Sequence, residues 1–184
     1  MAEGEQKMKH MKRICLAVLL ICTVSASVLA SEDRENSPRE KASSILGPVT
    51  NSVYLKECGA CHFAFQPQLL PKRSWEKIMG SLEDHFGDSA TLDEATRSGI
   101  LDYLVKNSAD KSSSKVSGKL RASIGKSEAP IRITDTGYFK RKHDEVRAAV
   151  FKRKSIGTAS NCVACHLTAE KGDFDEHKVK IPKN

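Results

Sequence analysis

Two five-residue segments, Cys58-Gly59-Ala60-Cys61-His62 and Cys162-Val163-Ala164-Cys165-His166, repeat one pattern, CxxCH. With 6 cysteines and 6 histidines in 184 residues, even one copy is expected by chance in fewer than about one chain in a hundred. The spacing suits one reaction. Two thiols three positions apart on a turn of helix reach the two vinyl groups of a single haem and form thioethers, while the next residue presents its imidazole to the iron. Each segment therefore predicts one covalently bound haem c, held by Cys58 and Cys61 or by Cys162 and Cys165, with His62 and His166 as proximal iron ligands. A four-cysteine zinc site and redox-active dithiols compete for the same cysteines. Zinc ribbons keep their pairs much closer in sequence, and neither alternative calls for a histidine directly after each pair.

What the two irons do depends on their sixth ligands, because a filled position transfers electrons and an open one binds gas or substrate. Beyond residue 30 and apart from the proximal pair, the choices are His85, His143, His177 and a single methionine, Met79. Trp75, Ile78, Met79, Leu82 and Phe86 recur at helical spacing, which predicts a helix over Ser74 to Phe86 with Ser74 as its N-cap. His85 borders the apolar face near the end marked by Gly87, so it can turn toward a haem; a histidine that merely caps the helix is the bland alternative. Met79 stands in mid-stripe, where core filling is the commoner role, and His85 is the preferred ligand. His143 closes the run Tyr138-Phe139-Lys140-Arg141-Lys142, whose aromatic residues could wall a haem and whose charges suit an exposed surface histidine. His177, in the polar tail Asp173 to Asn184, is left as a surface residue.

These side chains need a scaffold, and the apolar pattern predicts a mainly α fold: a small N-terminal helical haem domain over 48–109 and a less regular C-terminal haem-binding segment over 129–184. The first holds a short helix entering CxxCH, a loop with Pro67 and Pro71, the His85 helix, and a helix from Thr91. There Thr91-Leu92-Asp93-Glu94 reads as a capping box, with Ile100, Leu101 and Leu104 as the apolar positions. Residues 110–128, rich in Ser, Lys and Gly, read as a linker. In the second unit an extended piece with Ile131 and Ile133 gives way to a helix through Val146, Val150 and Phe151. His143 there precedes the CxxCH, so the unit is no simple repeat of the first. Units this short are marginal on their own apolar burial, and a porphyrin in each core would supply what they lack.

Residues 1–30 read as an export signal. Lys7, Lys9, Lys12 and Arg13 precede the apolar stretch Ile14 to Val24, and Val28-Leu29-Ala30 ends in small residues with cleavage expected after Ala30. An uncleaved anchor competes, because Ile14 to Ala30 reaches the lower limit of a bilayer span. Cys15 and Cys22 leave with the peptide, and residues 31–47, charged and Ser-rich, predict a flexible arm. Export places the chain in the periplasm, with no stable membrane insertion after cleavage. The whole chain carries 30 Lys plus Arg against 23 Asp plus Glu, net +7; losing four basic and two acidic residues leaves 26 against 21, or +5. At 39% apolar and 29% charged it is neither a multi-span membrane protein nor a disordered chain. Nucleic-acid binding is not expected of an exported haem protein so poor in aromatic residues.

The chain resembles a known family, the exported dihaem cytochromes c that donate electrons to a small high-spin, oxygen-binding cytochrome c. The likeness covers about residues 48–184 and rests on Glu57-Cys58-Gly59-Ala60-Cys61-His62, Leu70-Pro71, Ser74-Trp75, Asp84-His85-Phe86-Gly87, Ile133-Thr134, Tyr138-Phe139, Arg141-Lys142-His143 and Asn161-Cys162-Val163-Ala164-Cys165-His166. The resemblance implies an N-terminal domain of the mono-haem cytochrome type and two low-spin, bis-histidine haems, His62 paired with His85 and His166 with His143. Cross-ligation stays open at this level. A bis-histidine iron has no vacant site, so the expected job is outer-sphere electron relay at low potential, from a membrane cytochrome or quinol-linked donor. The segment Lys140 to Lys154 holds seven basic residues that could steer an acidic redox partner, or simply form a solvated face. The rival functions, a peroxidase-like haem enzyme and a gas-binding module, each need one open iron.

Overall fold

The computed structural model describes residues 45–183. The export signal, its cleavage position and residues 31–44 of the expected arm lie outside the described residues. Among those described, regular structure is helical, with two isolated β-bridges, Ile45–Asp173 and His85–Asp88, and no sheet. None of these helices is long and apolar enough to cross a membrane.

Helix α1 (Ser52–Gly59) starts at Asn51, whose side-chain oxygen accepts from the Tyr54 N–H at 2.8 Å, satisfying an amide that the helix itself leaves unpaired. The helix runs straight into the first CxxCH. Helix α2 (Lys72–Met79) follows Pro71, whose fixed φ suits a helix start. Helix α3 (Glu94–Lys106) is capped by the Asp93 carboxylate, which accepts from the Thr96 N–H at 3.0 Å. Together they bury Tyr54, Leu70, Trp75, Ile78, Met79, Ile100 and Leu104 in a first core. Two buried polar groups are paired within it: the Trp75 indole N–H donates to Pro67 O at 2.8 Å and the Tyr54 hydroxyl to Phe65 O at 2.9 Å.

The single helix expected over Ser74 to Phe86 is instead α2, a 3₁₀ turn (Leu82–Asp84) and a tight turn over residues 85–88. Gly80 ends α2, and the Ser81 hydroxyl donates to the Lys77 carbonyl at 3.0 Å, taking a bond that helix continuation would need. The apolar stripe persists across the break because the chain folds back on the same core, with Leu82 still buried. Ser74 lies inside α2, wholly buried, and does not cap it. Likewise Asp93, not Thr91, caps α3.

The stretch 110–128, expected as a linker, instead carries α4 (Lys115–Ala122). Val116, Leu120 and Ile124 recur once per turn, a stripe too narrow to register in a Ser- and Lys-rich composition but enough to bury Leu120 almost completely. With Leu46 and Leu69 they form a second core, against which Tyr138 and Phe174 pack. Phe65 and Ile133 touch both cores. Leu46, assigned from sequence to the flexible arm, is thus an ordered core residue.

The C-terminal part is less regular: a 3₁₀ turn (Ile133–Asp135) where extended chain was expected, α5 (Gly137–Lys142), α6 (Ala148–Phe151), and 3₁₀ turns Cys162–Ala164, Ala169–Lys171 and Glu176–Lys178. It is clasped to the start of the described chain. Leu46 N–H donates to Gly172 O at 2.9 Å, and the buried Gln66 amide donates to Ala169 O at 2.7 Å across 103 residues of sequence. Gly47 and Gly172 both adopt positive φ, +80° and +71°, and a Cβ on Gly172 would lie 2.2 Å from Gly47 O. Only glycine fits that approach.

Candidate functional site

The first motif emerges from the C-terminal end of α1. Cys58 is half-buried against the first core, while Cys61 and His62 lie exposed beyond the helix end. His62 Nδ1 lies 2.8 Å from Phe63 O, an arrangement in which Nδ1–H donates to the carbonyl and Nε2 keeps its lone pair for a metal. His85 comes from the turn after α2. Its N–H donates to Asp88 O at 2.7 Å, Gly87 N–H donates to Asp84 Oδ1 at 2.9 Å, and Phe86 and Gly87 take φ of +63° and +99°. Two positive-φ residues in succession make a primed turn, which reverses the chain tightly and faces His85 to His62. Their ring centroids are 6.1 Å apart and their planes 26° from parallel. Met79, the competing ligand, stays in the first core.

The second site is assembled differently. Cys162 and Cys165 ride on a 3₁₀ turn, with His166 directly after, and His143 is the C-cap of α5. The cap of that short helix is Thr136, whose hydroxyl accepts from Phe139 N–H at 3.2 Å. His143 Nδ1 lies 2.9 Å from Phe139 O, again leaving Nε2 for a metal, and its ring stacks on Phe139 at 4.0 Å. His143 and His166 also stand 6.1 Å apart, their planes at 71°. Two in-line metal–imidazole bonds of about 2.0 Å would separate ring centroids by roughly 6.4 Å, and the centroid spacing of both pairs is close to that.

Electrostatics favour the same use. Burial, then the neighbouring His62 and Arg132, hold His85 below the usual imidazole range against the pull of Asp88. Burial and then His143 do the same for His166 against Asp173. Both are therefore neutral near pH 7, the form that donates to a metal. Burial raises the Cys58 and Cys162 thiols to about 11 and raises Cys165 as well. These are thiols in apolar surroundings, unlike the acidified cysteine of a dithiol redox centre. Nor do the four cysteines gather as a zinc cage: among the described residues no three His, Cys, Asp or Glu side chains converge on one point.

A cavity of about 570 Å³ borders the first motif, lined by Val49, Leu55, Gly59, His62, Phe63 and Ala64 together with Val163 and Glu170. Residues of both CxxCH segments thus face one space, of a volume suited to a prosthetic group. Sequence reasoning missed three aromatic or cationic neighbours. Phe151 lies 6.3 Å from His143 and Phe174 lies 5.5 Å from His166; Arg132 stacks over the Phe86 ring at 3.8 Å. No motif marks any of them, and Phe174 stands in a tail polar enough to read as surface. Of the two aromatic residues singled out before His143, Phe139 reaches the site and Tyr138 turns into the second core.

Residues 54–174 match the family model described as dihaem cytochrome c. Among solved structures, a dihaem cytochrome c from Rhodobacter sphaeroides is 43% identical, with a TM-score of 0.62 over 70% of this chain and 99% of that one. One from Shewanella baltica is 38% identical, with a TM-score of 0.58 over 72% of this chain and 93% of that one. Comparison with curated proteins gave no match. Because the matched span contains both CxxCH segments together with His85 and His143, the chain belongs to the dihaem cytochrome c family and carries two covalently bound haem c groups.

Proposed function

We propose that this protein relays single electrons between redox proteins of the periplasm through two low-spin, bis-histidine haems. When bound, the haems supply two one-electron Fe(III)/Fe(II) couples. Cys58 and Cys61 would hold one through thioethers, with His62 and His85 offering their imidazoles to its iron; Cys162 and Cys165 would hold the other, with His166 and His143. The carbonyls of Phe63 and Phe139 fix the tautomer and orientation of His62 and His143. Phe139 and Phe151 lie against His143, and Phe174 against His166. The two haem-binding units are 48–109 and 129–184, in a chain cleaved after Ala30.

The observation that carries this reading is the pair of facing imidazole couples, each at 6.1 Å. Two imidazoles on each iron would leave substrate no position to bind, so these residues suit outer-sphere electron transfer. The partners are an acceptor such as a small high-spin cytochrome c and a membrane cytochrome or quinol-linked donor. An acidic partner is drawn to the second unit by Lys140, Arg141, Arg147, Lys152 and Lys154, which are exposed. Low-temperature electron paramagnetic resonance on the oxidised protein, with intact mass to count haems, tests this. Two low-spin signals support electron relay; a high-spin iron in the untouched protein means an open site and overturns it in favour of gas or peroxide chemistry.

A further inference from the structure

The structure assigns Arg132 the role of a positioning residue for His85: a clamp, reaching from the segment that leads into the second haem site, that holds the first site's distal ligand in place. The inference takes His85 as the axial ligand and asks what keeps it there. Phe86 is the only non-glycine residue with positive φ among those described, at +63°. A bulky side chain there is strained and persists only where its surroundings hold it.

The Arg132 guanidinium lies 3.8 Å over the centre of the Phe86 ring, and the His85 ring lies 4.7 Å from it. Phe86 is 42% exposed, so the first core does not pin its ring, and the cation on its face adds to the turn's own hydrogen bonds. The backbone that carries Arg132 is held in place, because Ile131 and Ile133 on either side pack against the first core. The same strap continues through the Thr136 cap and α5 to His143. One short segment thus braces the distal histidine of the first site and supplies that of the second, and it sets a permanent positive charge beside His85.

Three variants of the full holoprotein separate the possibilities: Arg132→Ala, Arg132→Lys and His85→Ala. Each is read by carbon monoxide binding to the ferrous protein, by the low-spin resonance of each ferric haem, and by a potentiometric titration. Arg132→Ala should admit carbon monoxide to one haem at least about tenfold faster than wild type, broaden the low-spin signal of that haem alone, and lower its potential through loss of the nearby cation. Arg132→Lys, which keeps the charge and a weaker ring contact, should recover most of the potential and part of the closure. The clamp is overturned if Arg132→Ala matches wild type in all three measurements, or if it alters both haems equally. Should Arg132→Ala fold poorly, Phe86→Leu removes the ring and leaves the arginine; it should reproduce the carbon monoxide access with a smaller shift in potential. Equal closure in Phe86→Leu and wild type also sinks the idea. His85→Ala isolates the premise: if it opens a haem and Arg132→Ala does not, the ligand stands and the clamp falls, whereas two undisturbed low-spin haems in His85→Ala remove the ligand assignment itself.

Discussion

Imidazole geometry distinguishes the two sites at the scale of single residues. The His62 and His85 planes are close to parallel at 26°, and those of His143 and His166 are close to perpendicular at 71°. Ligand-plane orientation sets the splitting of the iron d orbitals. The first haem should therefore give an ordinary rhombic low-spin signal and the second a strongly anisotropic one with a large maximal g value. Two superimposable signals would refute that difference. His85→Ala should abolish the rhombic signal and His143→Ala the anisotropic one, each creating a single site that binds carbon monoxide. The CxxCH segments were legible from sequence because covalent attachment demands a fixed spacing. His85 was legible as a residue bordering the core, but on the wrong element. Arg132 was invisible, since a cation over a ring depends on a left-handed turn that no periodicity reveals.

Elements failed to read where their apolar signal was thin. Val116, Leu120 and Ile124 contribute one apolar residue per turn within a Ser- and Lys-rich stretch, and α4 looked like a tether. Yet Leu120 is 1% exposed. Leu120→Ala should cost about 2–5 kcal/mol, measured by denaturant unfolding of the holoprotein with unchanged haem content; a loss under about 0.5 kcal/mol would mean that α4 merely rests on the surface. The predicted 74–86 helix failed for the opposite reason, a strong stripe that continues past a Gly-Ser break because the chain turns back onto one core. The 3₁₀ turn Ala169–Lys171 leads to Asp173, whose carboxyl is held below its usual range chiefly by Lys178, at 2.7 Å. A depressed carboxyl stabilises the fold above its unfolded value, near 4, and that contribution vanishes as pH falls through the lower folded value. Wild type should exceed Asp173→Asn in thermal stability at pH 6, and the gap should narrow as pH falls below about 4. A gap that persists into acid would show that the pair contributes nothing through charge.

Charge is arranged unevenly over the whole molecule. Acidic and basic residues nearly balance in 48–109, whereas Lys and Arg predominate from 110 onward. Electron transfer to an acidic partner should slow several-fold as salt rises from about 10 to 200 mM, because the Debye length contracts from about 30 Å to under 10 Å. Lys152→Glu with Lys154→Glu should produce a comparable slowing at low salt. Stopped-flow rates that ignore both salt and charge reversal would locate docking elsewhere. The mainly α architecture was legible from helical periodicity, but the two-core arrangement was not, because it depends on contacts between residues far apart in sequence.

The meeting of Leu46 with Gly172 bears on how the protein is made. Both CxxCH segments lie inside the loop that this contact closes. Synthesis delivers Leu46 early and Gly172 near the end, and contacts of such long range form late in folding. The clasp is therefore a late closure of the loop that carries both motifs. Protection of residues 45–47 from protease becomes a clock for maturation: a Gly172→Ala chain should acquire both haems and still be cut there.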